Sequence, residues 1–145
     1  MNARGILIAL LLMAVSAAAQ DPGFTQPDGT TALHLAVQAN QEVMVAKLLA
    51  GGADPNSANR YGITPLWLAA TNGSAAVTRM LLKAGANATA TLPHGETALM
   101  AAARTGVPET VKLLIDAGAD PNAHETSKGE TALMWGAVYN LPEAM

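Results

Sequence analysis

The chain contains no cysteine among its 145 residues. That excludes disulfides, thiol catalysis, cysteine-built zinc sites and lipid attachment at a cysteine. Aromatics are almost as scarce, with two Trp, two Tyr and one Phe. The core must therefore be aliphatic, built from Leu, Ala, Val and Met. Charged residues make up 13% of the chain, and the net charge is −3. There is no Lys/Arg run, so the electrostatic footprint of a nucleic-acid binder is missing. An anionic membrane surface would not attract such a chain either. No apolar run is long enough to cross roughly 30 Å of hydrocarbon, which takes about 20 residues. Catalytic signatures are missing too: there is no GxSxG, Walker loop, HExxH or GxGxxG. Ser16, Ser57, Ser74 and Ser127 are the only serines, and none pairs evidently with a His and an acid. No catalytic residue and no cofactor are expected.

What is present begins with a secretory pattern. Met1–Gly5 carries Arg4, Ile6–Val15 is apolar, and Ala17-Ala18-Ala19 supplies small residues for a signal peptidase. This predicts removal of residues 1–19 and an exported chain, periplasmic or secreted, beginning at Gln20. The short Ala-rich form fits a bacterial source. The next stretch, 20–27, is polar with two prolines and reads as a linker. Without disulfides, an exported domain of this size must be stabilised by packing alone.

Two phrases then recur on one period. The first reads GTTALHLAV from Gly29, GITPLWLAA from Gly62, GETALMAAA from Gly95 and GETALMWGA from Gly129. The second reads GGADPN from Gly51, AGANAT from Ala84 and AGADPN from Ala117. The spacing is 33 residues, except for 34 between Gly95 and Gly129. The extra residue falls in the polar loop Asn122–Lys128, where an insertion costs little. The repeats run about 28–60, 61–93 and 94–127, with a partial fourth at 128–145.

Each unit reads as helix, turn, helix, loop. Thr31, Thr64, Thr97 and Thr131 precede Ala/Leu-rich stretches and are placed to cap them. Pro65 suits a first helical position. The first helices should end at Asn40, Gly73, Gly106 and Asn140, residue types that tolerate a left-handed backbone. Second helices follow at about Glu42–Ala50, Ser74–Ala84 and Pro108–Ala117, stopped by Gly52, Gly85 and Gly118. Asp54-Pro55-Asn56 and Asp120-Pro121-Asn122 make turns. Asn87-Ala88-Thr89 lacks the proline and is expected to be looser. Helices this short do not persist alone in water, so each unit must be covered by its neighbours.

These residues resemble ankyrin repeats: TALHLA from Thr31, TPLWLA from Thr64, TALMAA from Thr97 and TALMWG from Thr131, together with the GADxN turns. The resemblance covers Asp28 to the end of the sequence. It implies an all-α solenoid of helix-turn-helix units with hairpin-like loops. It also implies a concave face of loop tips and first helices that binds other proteins. Pro142-Glu143 align with Pro108-Glu109, so the fourth unit stops where its second helix begins, as expected of a fragment.

His34 stands at the family's His position, which implies a structural bond between units. His94 and His124 lie in loops without metal-ligand spacing, and no metal site is expected. Trp67 replaces the family His and is expected near the concave face, while Trp135 is expected to pack inside. The candidate binding residues are the loop tips Arg60, Tyr61 and Ile63; Pro93, His94 and Glu96; Lys128 and Glu130. Trp67, Thr71, Asn72, Arg104 and Thr105 extend the same face. Arg60-Tyr61 is the most hot-spot-like pair. The reading is a monomeric, non-enzymatic module that binds an extracytoplasmic protein, with no nucleic acid and no membrane partner after signal cleavage. The alternative is a scaffold or spacer fragment of a larger secreted protein.

Overall fold

Each Thr before an apolar stretch caps a helix. The hydroxyl oxygens of Thr31, Thr64 and Thr97 accept the N–H groups of His34, Trp67 and Met100. Thr131 accepts that of Met134 at 3.4 Å. The computed structural model describes residues 21–138. Its helices are α1 Ala32–Gln38, α2 Glu42–Ala50, α3 Pro65–Asn72, α4 Ala75–Lys83, α5 Ala98–Thr105, α6 Pro108–Asp116 and α7 Ala132–Val138. There is no strand among the described residues. Isolated antiparallel bridges at Thr25–Thr31, Thr91–Thr97 and His124–Thr131 close hairpin-like loops.

The first helices end as the residue types require. Asn40 has φ 53°, the one positive φ outside glycine among the described residues, and Gly73 and Gly106 have φ 68° and 72°. Asn140 lies outside the described residues, as do 1–20 and Pro142-Glu143. Packing follows the repeat. Helices α1, α3, α5 and α7 contact one another in succession, and α2, α4 and α6 form a second layer against them. The interface is aliphatic and largely Ala: Ala36, Ala69, Ala70, Ala98, Ala101 and Ala102 are all buried. Small side chains let the two layers approach closely.

The stretch Asp21–Pro27 is folded and does not behave as a linker. Gly23 N–H donates to Asp21 Oδ1 at 2.9 Å, repeating the Asn56-to-Asp54 bond of the next turn at 2.8 Å. Ala32 N–H donates to Phe24 O, Phe24 packs on the core, and Pro22 sits beside Gly51. Asp21 lies one period before Asp54. The segment is therefore the hairpin of unit one. The turn at Asn87 is also no looser than its neighbours. Asn87 Oδ1 accepts Thr89 N–H at 3.0 Å, as an aspartate does elsewhere.

One end of the stack is open among the described residues. Leu33, Leu66 and Leu99 are buried, but Leu133, the same letter of the same phrase, is 61% exposed. Leu133 borders an apolar groove with Leu99, Ala103, Val111 and Ile115.

Candidate functional site

The hairpins share one construction. Gln26, Asn59, Leu92 and Glu125 donate their N–H groups to the carbonyls of Thr30, Ile63, Glu96 and Glu130, at 2.8 to 3.1 Å. Gly62 N–H then closes its tip on Asn59 O at 2.9 Å. Gly62 has φ 78°, and a Cβ there would lie 2.8 Å from Pro93 Cδ. Only glycine meets both demands. The tips therefore stack in contact. Arg60 N–H donates to Asp28 O at 2.8 Å, and Thr126 N–H to His94 O at 2.7 Å. Pro93 holds the intervening position and has no N–H, so that rung is missing.

The tips are organised by a residue that the sequence reading did not single out. Asn59 Oδ1 accepts the N–H groups of Tyr61 and Ile63, at 3.0 and 3.1 Å. Glu125 stands two periods later and does the same for the longer fourth tip. Its carboxylate accepts from Ser127 N (2.6 Å), Lys128 N (2.7 Å), Glu130 N (3.2 Å) and the Ser127 hydroxyl. The extra methylene of Glu spans the extra residue. Glu125 is 3% exposed. The Ser127 hydroxyl, helped by the backbone donors, lowers its carboxyl pKa to about 2. The signal was available, because Asn59 and Glu125 occupy one register. It was missed because their letters differ.

Other polar side chains are also committed to the stack. His34 Nδ1 accepts Thr31 N–H at 3.1 Å, so Nε2 carries the proton and donates to Ile63 O at 2.8 Å. Burial pushes the His34 pKa below its ordinary value. The repeat therefore uses this His as framework, as the resemblance implies. Asn72, a candidate contact, turns its amide back to Val37 O at 2.9 Å and Gln38 O at 3.4 Å. Thr71 and Thr105 return their hydroxyls to Trp67 O and Ala102 O.

The remaining candidates face outward to different degrees. Arg60, Tyr61, Pro93, His94 and Lys128 are exposed, and Ile63, Glu96 and Glu130 are half-buried. The Arg60 guanidinium lies 4.9 Å from the Tyr61 ring centre and donates to its hydroxyl at 2.6 Å. This pairing holds both long side chains in one arrangement. Asp28, on the adjacent tip, is kept below the usual carboxylate range by the Thr30 N–H.

Along the first helices, Arg104 lies 5.6 Å from the Trp135 ring, a cation–π contact between units three and four. Trp67 and Trp135 are both half-buried against the core. Neither indole N–H finds a partner among the described residues. Nor does any cluster of three or more His, Asp or Glu able to hold a metal ion occur among them. What the surface offers is a row of hairpin tips, with Trp67 and Trp135 half-buried on two separate first helices, α3 and α7.

None of the curated proteins matches the chain. The family described as ankyrin repeats (3 copies) matches residues 3–91 and 85–145. With that match spanning nearly the whole sequence, and a two-layer stack of capped helix pairs beneath it, the chain belongs to the ankyrin-repeat family.

Proposed function

We propose that the chain is an exported protein-binding module whose partner lies outside the cytoplasm. Ankyrin repeats are generally protein–protein interaction modules, which supports the class of partner. The observation that carries the reading is a division of labour among polar side chains. His34, Asn59 and Glu125 are buried or half-buried and bonded within the stack, and the exposed Asn72 is tied to Val37 O, whereas Arg60, Tyr61, Pro93, His94 and Lys128 stand exposed on adjacent tips. A preformed surface loses little entropy on binding. Ile63, Glu96, Glu130, Trp67, Thr71, Arg104 and Thr105 would line the inner side of the same surface, with Asn72 at its edge.

The Arg60–Tyr61 pair is the proposed anchor, because both residues are hot-spot types held by one another. Replacing both by Ala should weaken capture of a partner from the native extracytoplasmic fraction and leave the circular dichroism unchanged. Undiminished capture would remove the pair from the site. Export is proposed from the secretory pattern of residues 1–19. Sequencing the N-terminus of the protein from its native host should read from Gln20. An intact Met1 would overturn that part.

A further inference from the structure

The second inter-unit turn differs from its neighbours in three letters. Asp54-Pro55-Asn56 and Asp120-Pro121-Asn122 become Asn87-Ala88-Thr89. Each of these turns needs one side-chain oxygen to accept an N–H two residues on. Asp54 and Asp120 supply it to Asn56 and Asn122, at 2.8 and 2.9 Å. Asn87 Oδ1 supplies it to Thr89 N–H at 3.0 Å and also accepts the Thr89 hydroxyl at 2.7 Å. The fold thus uses the oxygen of the Asn87 carboxamide. Its nitrogen, Nδ2, makes no hydrogen bond among the described residues, and Asn87 and Thr89 are both exposed.

Asn-x-Thr or Asn-x-Ser, with x other than Pro, is the acceptor pattern for asparagine-linked glycosylation. The chain carries it twice, at Asn87-Ala88-Thr89 and at Asn72-Gly73-Ser74. The two are alike as sequence and opposite as structure. Asn72 Nδ2 is bonded to Val37 O and Gln38 O, and Ser74 is occupied in capping α4. The amide that would have to react ties two units together. At Asn87 the corresponding amide is free and sits on a turn. Ala88 also stands where both flanking turns carry Pro, the residue that would block the reaction.

We propose that Asn87 is the site at which the folded chain accepts an oligosaccharide, and that Asn72 is not. The proposal rests on the export reading, because the lipid-linked donor is presented on the extracytoplasmic side of its membrane. In the reaction, Asn87 Nδ2 attacks the anomeric carbon of a lipid-pyrophosphate-linked oligosaccharide. A C–N bond forms, the C–O bond to the pyrophosphate breaks, one Nδ2 proton passes to the transferase base, and the lipid pyrophosphate leaves.

The test is transfer to the purified, folded chain by membranes containing an oligosaccharyltransferase and supplied with that donor. Intact mass and peptide mapping locate the product, and enzymatic release of the glycan converts the modified Asn to Asp. One oligosaccharide on Asn87 is expected, lost in Asn87→Gln and in Thr89→Ala and unchanged in Asn72→Gln. Circular dichroism confirms that each variant is folded. No transfer while a control acceptor peptide is modified, or transfer to Asn72, overturns the proposal. This reaction bypasses export, so its failure leaves the export reading standing. An unprocessed N-terminus in the native host would leave the chemistry at Asn87 standing.

Discussion

His34 Nε2 donates to the carbonyl oxygen of Ile63, one unit further along, at 2.8 Å. The same imidazole accepts the Thr31 N–H through Nδ1. One side chain therefore closes a helix start and joins two units. Trp67 and Met100 hold the equivalent positions in units two and three. Trp67 Nε1 makes no such bond among the described residues, and a Met thioether has no proton to donate. The first interface is thus joined by a group that titrates.

That difference gives a pH dependence. Burial lowers the folded-state His34 pKa below the ordinary 6.5. As pH falls below 6.5, the unfolded chain binds the proton first, so stability is lost in that direction. We expect a lower melting temperature at pH 5 than at pH 7. His34→Met, which installs the residue found in unit three, should flatten the curve over that interval. A wild-type curve already flat there would show that burial of His34 does not govern it.

Asn72 should behave as framework. Asn72→Ala removes one inter-unit donor and should cost about 1 kcal/mol in urea denaturation. Asn72→Asp should cost more, because it sets a carboxylate against the last carbonyls of α1, the negative end of its dipole. If Asn72→Asp were as stable as wild type, the amide bridge to Val37 would not be contributing.

Glu125 supplies the acid side of the stability profile. Its carboxyl falls from an ordinary 4.5 to about 2 in the folded chain. Its contribution is therefore complete above pH 4.5 and disappears as pH falls through about 2. Glu125→Gln should melt lower than wild type at pH 6, with the two curves converging as pH approaches 2. Parallel curves across that range would mean that the charge is irrelevant to the tip.

Leu99 and Leu133 test how far a repeated letter has a repeated value. Leu99 is 1% exposed and Leu133 is 61% exposed. Leu99→Ala should cost about 2–5 kcal/mol through lost transfer energy and the cavity left behind. Leu133→Ala should stay within about 0.5 kcal/mol, the range of surface substitutions. Equal costs in denaturant titrations would show that Leu133 is covered in solution.

Much of this was legible before any coordinates. Helix starts could be read from Thr31, Thr64 and Thr97 because a hydroxyl cap acts locally, within three residues. Helix stops at Asn40, Gly73 and Gly106 could be read because a left-handed backbone admits few residue types. The role of Asp21–Pro27 was missed although Asp21-Pro22 stands in register with Asp54-Pro55, since Ala19-Gln20 replaces the Gly-Ala that precedes the other turns. Glu125 was missed for a related reason. Its work is to gather N–H groups that converge only once the fourth tip has folded, and nothing in the letter distinguishes it from a solvated acid.

The sequence alone therefore determined the repeat length, the helix pairs and their caps, because these depend on contacts between near neighbours in the chain. The tertiary structure decided which polar groups are consumed. Asn72 and Asn87 carry the same acceptor pattern, yet one amide is bonded to a helix about 35 residues away and the other is left free. Leu99 and Leu133 hold the same place in the repeated phrase, yet burial separates them. In both cases the outcome depends on what the neighbouring unit places opposite, and a single repeat does not contain that information.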